Sequence, residues 1–467
     1  MEENTINLGN VVNAQQDVET LTGAVNSTTV VTDNATIVAE SSNVVIPSDG
    51  ISLSNTDVTT TVVSDSVGSV VIAQPTTQLE TVVTEPTVQD ATNGYKLKTE
   101  SLVKLVNNAR KAAICNDMLV LTTVFQLKFG KDGFEIVGTD SENIIVQKDT
   151  SVSFNKEAVL CVSADLFTKL INKLDTEFVT IEIDEAKRLV TVKSNGEFIL
   201  SEVYDIATGQ SIYLDTNAMK MDMDAVRTID LTLFKNKLKK AQMLNIGNTT
   251  YNTLCGVYCT DKIYSTDRSN MYGEPNIPEL VNDEFYLSSS FVELLISTDM
   301  EGTATFSIKN DNEGNAKGIM ITTNNMCLYG PTGRDSSQYP VQVLSDYINK
   351  DFNNHFKVST KRLISVLEKA QLFLSAGDTE KQSCNFELDV QSQSLKVKSI
   401  SKASEQIVPI QELDTAIQPF NLHIESVIKI LKNCNEDEVT VKVDNVEYKT
   451  VRFITDDRVQ IVSIINL

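Results

Sequence analysis

Residues 102–144 read LVKLVNNARKAAICNDMLVLTTVFQLKFGKDGFEIVGTDSENI, and the periodicity of their apolar residues decides the fold. Leu102, Leu105, Val106 and Ala109 recur at the spacing of one face of an α-helix. Short runs in which apolar and polar residues alternate come next, as expected of half-buried β-strands. The stretch therefore predicts an α+β unit that begins with an amphipathic helix.

The same pattern occurs three times along the chain. The other two first helices carry apolar stripes of the same kind, formed by Leu231, Phe234, Leu238 and Ala241 and by Leu363, Val366, Leu367 and Ala370. The three helices start near residues 100, 231 and 360, a spacing of about one domain. Each is followed by strands, a shorter apolar helix and further strands. We therefore predict three similar α+β domains, at 95–222, 223–345 and 346–467.

The first 94 residues differ in composition from the rest. They contain no Lys or Arg and twelve Asp and Glu, and Thr, Val, Ser and Asn dominate them. Without aromatic residues or a lasting period, such a segment cannot bury enough apolar surface to offset its chain entropy. We predict a disordered acidic tail over residues 1–94.

Charge separates between the predicted elements of the remaining chain. The formal net charge is −23 for the whole chain, of which the tail carries −12. The predicted helices lie at 99–113, 164–173, 231–244, 289–297, 360–374 and 424–433. Together these helices carry +9, so the other residues of the folded part carry −20. A solvated polar helix face is one explanation of this bias. The other is a single basic surface of helices that attracts phosphate groups.

Several classes of protein lack their sequence signals here. No secretory signal and no apolar run of membrane-spanning length occurs, and the seven scattered cysteines suit reduced thiols in the cytoplasm. Neither His355 nor His423 has metal-ligand spacing, and Cys255 and Cys259 are expected to be strand residues. No nucleotide-binding or serine-hydrolase motif is present. We expect a non-enzymatic protein with no cofactor, no metal and no membrane contact.

The repeated region resembles the bacterial DNA polymerase III β sliding clamp. Residues 102–144 resemble that family's opening helix, strand pair and G-T-D turn, and LCGVYCTDKIYSTDRSNMYG at 254–273 resembles its second-domain L-x-G-V and A-T-D-G-x-R-L motifs. YGPTGRDSSQYPVQV at 329–343 is similar to the G-x-[FY]-P link into the third domain. VQIVSIINL at 459–467 stands where clamps end in M-P-x-R-L.

The resemblance implies three tandem DNA-clamp domains and a homodimeric ring around double-stranded DNA. Helices would line the ring, which would hold the DNA without sequence preference. The predicted DNA-binding residues are Lys104, Arg110, Lys111, Lys235, Lys239, Lys240, Asn248, Tyr251, Arg362 and Lys369. At the subunit interface, Phe198 is expected to meet Leu372 and Phe373, although Phe198 could equally be a core residue.

The resemblance also implies a pocket for peptides of a DNA polymerase and a clamp loader. The expected lining is Leu254, Thr266, Asn270, Met271, Pro340, Ile461, Ile464, Ile465 and Leu467. For Leu254 and Ile461, an ordinary place in the core is an equal alternative. Residues 268–271 and the terminal tail depart from the family motif, so the peptide preference stays open between a bacterial and a phage polymerase.

A different class of function also stays open at this point. The Thr- and Val-rich tail would suit a structural β-rich protein of a virion or a cell surface. Such a protein has no need for three repeated helices with net positive charge, which favours the clamp. A clamp would be expected in the cytoplasm of a bacterium or of a phage-infected bacterial cell.

Overall fold

One unit of a strand, a helix and three further strands is repeated through the chain. The computed structural model describes residues 87–90, 94–114, 119–205, 208–242, 254–332, 339–374, 382–400, 404–456 and 458–465. The helices among these residues are α1 Thr99–Ala112, α2 Ala164–Ile171, α3 Leu231–Gln242, α4 Ser289–Ser297, α5 Val341–Asn349, α6 Thr360–Gln371 and α7 Ile424–Lys432.

The described residues contain 26 strands. They are β1 Thr87–Gln89, β2 Tyr95–Lys98, β3 Val124–Gly130, β4 Gly133–Thr139, β5 Ile144–Asp149, β6 Val152–Phe154, β7 Ala158–Ser163, β8 Phe178–Asp184, β9 Leu189–Lys193, β10 Glu197–Ser201, β11 Ala225–Asp230, β12 Gly256–Cys259, β13 Lys262–Thr266, β14 Asn270–Pro275, β15 Phe285–Ser288, β16 Thr303–Asn310, β17 Ala316–Thr322, β18 Met326–Pro331, β19 His355–Ser359, β20 Ser383–Asp389, β21 Ser394–Ser399, β22 Glu405–Gln411, β23 Phe420–His423, β24 Glu438–Asp444, β25 Thr450–Thr455 and β26 Arg458–Ser463. All of these strands except β1 and β6 belong to six such units.

Consecutive units are joined in pairs because they exchange their first strands. In the first pair, β2 pairs with β8 of the second unit, and β7 pairs back with β3 of the first. The same exchange joins β11 to β16 and β15 to β12. It occurs a third time between β19 and β24 and between β23 and β20. The predicted threefold α+β repeat is confirmed, with a strand added before each helix.

Two strand pairs join one repeat to the next, and we call each of them a seam. The first seam is β5 with β18, where Ile144 lies opposite Tyr329. The second is β14 with β26, where Met271 lies opposite Ile461. The first seam belongs to a sheet of eight strands and the second to a sheet of twelve. Backbone hydrogen bonds therefore run from each repeat into the next.

The six predicted helices all form, with ends one to three residues from the predicted ones in most cases. In α1 the predicted stripe of Leu102, Leu105, Val106 and Ala109 is buried against the sheets. Each buried leucine or valine side chain of this stripe contributes about 1.5–3 kcal/mol to folding. A Cβ at Gly138 would lie 2.6 Å from the Ala109 carbonyl oxygen, so glycine lets α1 lie close to β4.

Two elements lie outside the predictions. Helix α5 spans the predicted domain boundary at 345/346, and its periodic signal is short because only Leu344 and Ile348 are buried in it. Strand β1 lies inside the predicted tail and pairs in parallel with β6. The other residues predicted to form the tail lie almost entirely outside the described residues.

Candidate functional site

Six helices form a continuous layer on one side of the sheets. Helix α1 contacts α2 and α4, α3 contacts α4, and α6 contacts α7. The Asn433 side chain, directly after α7, donates to the carbonyl oxygen of Lys240 in α3 at 3.0 Å and so joins the second and third repeats. Within the observed bounds these six helices carry a net charge of +8, because α2 ends before Lys173. The excess of positive charge on the helices therefore holds in the structure.

Three of the predicted DNA-binding cations are exposed to solvent. Lys239 of α3 and Arg362 and Lys369 of α6 are exposed and make no ion pair with any other described residue. A cation without a protein partner can exchange its hydration for a phosphate group at little cost. Lys173, exposed just after α2, has the same character and was missing from the predicted set.

Two of the other predicted cations have partners inside the protein. Lys104 lies 3.1 Å from Glu100, and both side chains are exposed, so water and salt weaken this pair. The Arg110 guanidinium donates to the carbonyl oxygen of Ala113, beyond the end of α1. Lys240 is half-buried, and only its backbone carbonyl oxygen has a partner, as the acceptor for Asn433, so its ammonium group is not paired with another described residue. These pairings reduce the number of cations that are free to meet phosphate.

Lys111 and Lys235 are held at the carboxyl end of α4. The Lys111 ammonium donates to the Ser297 carbonyl oxygen at 2.6 Å, and Lys235 donates to the carbonyl oxygens of Thr298 and Met300 at 2.7 and 2.9 Å. Burial lowers the pKa of both lysines below the ordinary value. Cations at this end of a helix are stabilised by its dipole. Lys111 thus joins the first repeat to the second, and Lys235 joins the two units of the second repeat.

The remaining lysine of α3 is directed elsewhere. The Lys237 ammonium lies 2.7 Å from Glu274 of β14, and both side chains are largely buried. Lys237 was not among the predicted DNA-binding residues, unlike Lys239 two positions along the same helix. The predicted contacts Asn248 and Tyr251 lie outside the described residues.

The second seam carries an apolar cluster on the side of the sheet away from the layer of six helices, and α5 belongs to this cluster. Leu254, Met271 and Ile461 of the predicted pocket belong to it, together with Tyr339 and Leu344. Tyr339 is almost fully buried, stacks on Tyr258 with ring centroids 5.3 Å apart, and donates to the carbonyl oxygens of Gly256 and Tyr264. Pro340 precedes α5 and stands in the chain between Tyr339 and Val341, which both belong to this cluster. Three predicted pocket residues are therefore brought together.

The polar residues predicted for this pocket form a turn beside it. The Thr266 hydroxyl donates to the Asn270 carbonyl oxygen, and the Asp267 carboxylate accepts from the Ser269 and Asn270 backbone amides. The Asn270 side chain donates to Asp267 at 2.7 Å and to Ser426 of α7 at 3.4 Å. Asp side chains at turns commonly accept hydrogen bonds from nearby backbone amides in this way. The turn links the second repeat to the third.

The first seam carries the same turn. The Asn143 side chain donates to Asp140 at 2.8 Å and to Ser290 of α4 at 3.3 Å. Ser141 and Arg268, at the same place in the two turns, both have φ of +82°. The repeated T-D-x-x-N sequence is therefore a junction element rather than a catalytic pair.

The predicted terminal part of the pocket divides between two environments. Ile464 packs against the main core, while its backbone amide donates to the Lys449 carbonyl oxygen at 2.7 Å. The Ile465 amide donates to the carbonyl oxygen of Asn421 at 2.9 Å. Leu467 lies outside the described residues. Neither isoleucine belongs to the apolar cluster of the second seam.

The three residues predicted for a subunit interface are exposed. Phe198 on β10 is 38 % exposed, and Leu372 and Phe373, after α6, are 82 % and 50 % exposed. Such exposure of large apolar side chains argues against the alternative that Phe198 is an ordinary core residue. Strand β10 is the edge strand of its sheet, and the exposed Ile199 follows Phe198 on it.

The titratable groups of the described residues show no metal site. No cluster of three or more His, Cys, Asp or Glu side chains that could hold a metal ion occurs among them. Burial raises the pKa of the Cys161 thiol to about 12, and the six described cysteines are free thiols. His423 accepts from the Ser426 amide and so caps the start of α7. No helix in the described part of the chain is long and apolar enough to cross a membrane.

Comparison with known proteins agrees with this architecture. Residues 94–205 match the family described as DNA polymerase III beta subunit, N-terminal domain. The fold is similar to the DNA polymerase sliding clamp of Bacillus subtilis, with 15% identity, a TM-score of 0.67, and 80% of this chain and 98% of that chain covered.

Two further solved structures show the same likeness. The DNA polymerase III beta subunit of Thermotoga maritima has 16% identity and a TM-score of 0.65 over 80% of this chain and 99% of that one. A Pseudomonas aeruginosa sliding clamp with a ligand has 13% identity and a TM-score of 0.67 over 80% and 99%. No curated protein matches the chain in sequence. The predicted clamp fold is confirmed.

Proposed function

We propose that this chain, whose described residues have the fold of a DNA polymerase sliding clamp, is itself a DNA sliding clamp. Two copies would close a ring around duplex DNA and tether a replicative polymerase to it. The observation that carries the proposal is the layer of six helices with net charge +8 in a chain of net charge −23. We include in the proposal that the protein has no catalytic role.

Contact with DNA would be limited to the phosphate backbone. The exposed cations of the layer project from helix surfaces, and a helix lying across the backbone reaches no base edges. The interaction is then purely electrostatic and independent of sequence, so that the ring moves along DNA without a preferred position. Lys239, Arg362, Lys369 and Lys173 would supply this contact, whereas Lys111 and Lys235 would mainly hold the helix layer in place.

Ring closure follows from the way the repeats are already joined. In both seams the last strand of one repeat's first unit pairs with the last strand of the next repeat's second unit. The strands that this rule leaves unpaired with another repeat are β22 of the third repeat and β10 of the first. Strand β10 is an edge strand, whereas β22 lies between β21 and β19 and pairs with β19 only at Ile410 and Gln411, which leaves its start available to a further strand. In a head-to-tail dimer, β22 of each subunit would pair with β10 of the other, and these two pairings would close the ring. Phe198 would then lie near Leu372 and Phe373.

The apolar cluster of the second seam is the proposed docking place of the polymerase and of a clamp loader. A peptide with apolar anchors would meet Leu254, Met271 and Ile461 there, beside the polar turn at Thr266 and Asn270. Pockets of this kind combine an apolar floor with a few polar groups at the rim. We retain the domain division at 95–222, 223–345 and 346–467 and a location in the cytoplasm as parts of the proposal.

The decisive experiment is retention on DNA of defined topology. A closed ring loaded onto nicked circular DNA should remain on the circle during gel filtration in moderate salt, and linearising the circle should release it within minutes. Protein added to DNA that was linearised beforehand serves as the control. Loss from the intact circle at the rate seen after linearisation would refute encirclement. A structural protein of a virion or cell surface would bind neither form.

A further inference from the structure

The two seams share one register. The same register predicts which residues would lie opposite each other in a third seam, between two subunits. In the second units of the three repeats, Thr180, Thr305 and Thr440 lie opposite Lys193, Thr322 and Ile454. On the next strand of each sheet, the residues opposite Lys193, Thr322 and Ile454 are Glu197, Cys327 and Val459. Glu197 on β10 therefore occupies the position that Cys327 and Val459 occupy on β18 and β26.

The first units can be aligned in the same way. Two residues before the caps of α2, α4 and α7 stand Cys161, Tyr286 and Asn421, which lie opposite Gln126, Tyr258 and Asn385. Two strands further on, this row reaches Val146, Gly273 and Glu405. Glu405 on β22 therefore occupies the position of Val146 and Gly273.

Both seams confirm that these positions meet. Val146 lies opposite Cys327 in the first seam, and Gly273 lies opposite Val459 in the second. Although the two alignments were made independently of the seams, they place the same two positions opposite each other in both. We therefore propose, on the basis of the proposed ring, that Glu405 lies directly opposite Glu197 of the partner subunit where the ring closes.

We call the proposed pairing of β10 with β22 of the partner subunit the closing seam. It would differ in chemistry from the first and second seams, which lie within one chain and are therefore permanent. At this position the permanent seams hold a valine with a cysteine and a glycine with a valine, whereas the closing seam brings two carboxylates together. The Glu197 and Glu405 side chains are 67% and 53% exposed. Like charges directly opposite each other destabilise a strand pair. The repulsion makes the closing seam the weakest of the three.

Nearby lysines moderate this repulsion without removing it. Lys193 lies 3.4 Å from Glu197, and Lys396 lies 3.6 Å from Glu405. Across the closing seam the order of charges becomes positive, negative, negative, positive. Salt screens the central pair, so that dimerisation should tighten as ionic strength rises at low salt. A seam held by opposite charges would respond in the other direction.

The register is tested by cross-linking. The double variant E197C/E405C should form a covalent dimer on mild oxidation, because facing strand residues have the short Cα separation that a disulfide needs. The pair E197C/I407C, displaced by two residues on β22, and the unsubstituted chain with its own thiols are the controls. A dimer that is cross-linked by the displaced pair and not by E197C/E405C would overturn the proposed register.

The charge effect is tested by sedimentation equilibrium at low salt. E197Q and E405Q should each lower the dimer dissociation constant by about two- to ten-fold, since one dimerisation forms two closing seams. The double variant should gain little over either single one. Glu182 on the inner strand β8 pairs with Lys193 of β9 and would not face the partner subunit, so E182Q is the control and should not tighten the dimer.

The possible outcomes separate the register from the ring itself. A dimer that E197Q or E405Q weakens, or leaves unchanged, would refute the opposed carboxylates while leaving the proposed function intact. A chain that stays monomeric at all concentrations and gives no covalent dimer would refute the proposed ring. Cross-linking by E197C/E405C together with tighter dimers of the glutamine variants supports the inference.

Discussion

The free cations of the helix layer allow a quantitative prediction about DNA binding. In the triple variant K239A/R362A/K369A each chain loses three exposed cations that have no ion-pair partner among the described residues. Two chains make a ring, so the loss amounts to six charges facing the DNA. Each neutralised phosphate adds about 0.9 to the slope of log affinity against log salt concentration. If all six meet phosphate, the slope falls by about 5.

The same argument gives the expected change in affinity. Between 50 and 200 mM salt, the affinity of the variant should therefore fall on the order of a thousand-fold less than the affinity of the unsubstituted chain. Fluorescence anisotropy with a short labelled duplex, titrated at several NaCl concentrations, measures both quantities. The stability of the variant should change little, because each substituted side chain is exposed and away from the core.

The matched control removes three cations outside the helix layer. The variant K156A/K187A/K317A has the same change in net charge, and its exposed lysines lie in turns and on a strand. If it lowers the salt slope as much as K239A/R362A/K369A, then net charge and not the helix layer governs binding. An unchanged slope in the helix variant would refute the proposed DNA-facing role of these residues.

Three further predictions concern the seams and the helix caps. Tyr339→Ala should lower the free energy of unfolding by about 3–5 kcal/mol and Tyr339→Phe by only about 0.5–1.5 kcal/mol, because the ring and not the hydroxyl fills the second seam; equal losses in urea unfolding would contradict this. Lys237→Met should cost about 3 kcal/mol since Glu274 stays buried, and K237M/E274Q should recover part of the loss in the same assay. Burial lowers the pKa of His423, so its contribution to stability is complete above about pH 6.5 and is lost as the unfolded chain takes up a proton below it. His423→Asn keeps the helix cap and should flatten the dependence of thermal stability on pH between 7.5 and 5.5; an unaltered pH profile would show that His423 is not the group responsible.

The helices were predictable because their signals are local. The stripe of Leu102, Leu105, Val106 and Ala109 specifies both a helix and its buried face, whatever the helix packs against. Helix α5 was missed because only Leu344 and Ile348 of its nine residues are buried, too few to show a period. The threefold repeat gave the order of elements, but not the exchange of first strands between units, since strand pairing is non-local.

The candidate sites were predictable in composition more than in detail. Positive charge on the helices was visible in the sequence, whereas the loss of Lys111 and Lys235 to the end of α4 was not, because their acceptors lie more than sixty residues away along the chain. Similarly, Leu254, Met271 and Ile461 were expected together from the resemblance alone. Their shared cluster depends on Tyr339, whose burial no sequence period indicated.

The amino-acid sequence by itself determined the number of repeats, the helices and the separation of charge, because these depend on residue type and on spacing within one element. The tertiary structure alone decided which cations are paired with other described residues, which strands pair across the seams, and which strands are left for a further seam. Those properties depend on contacts between residues far apart in the chain. Glu197 and Glu405 are more than two hundred positions apart, and only the register of the strands between them places both at the same closing seam.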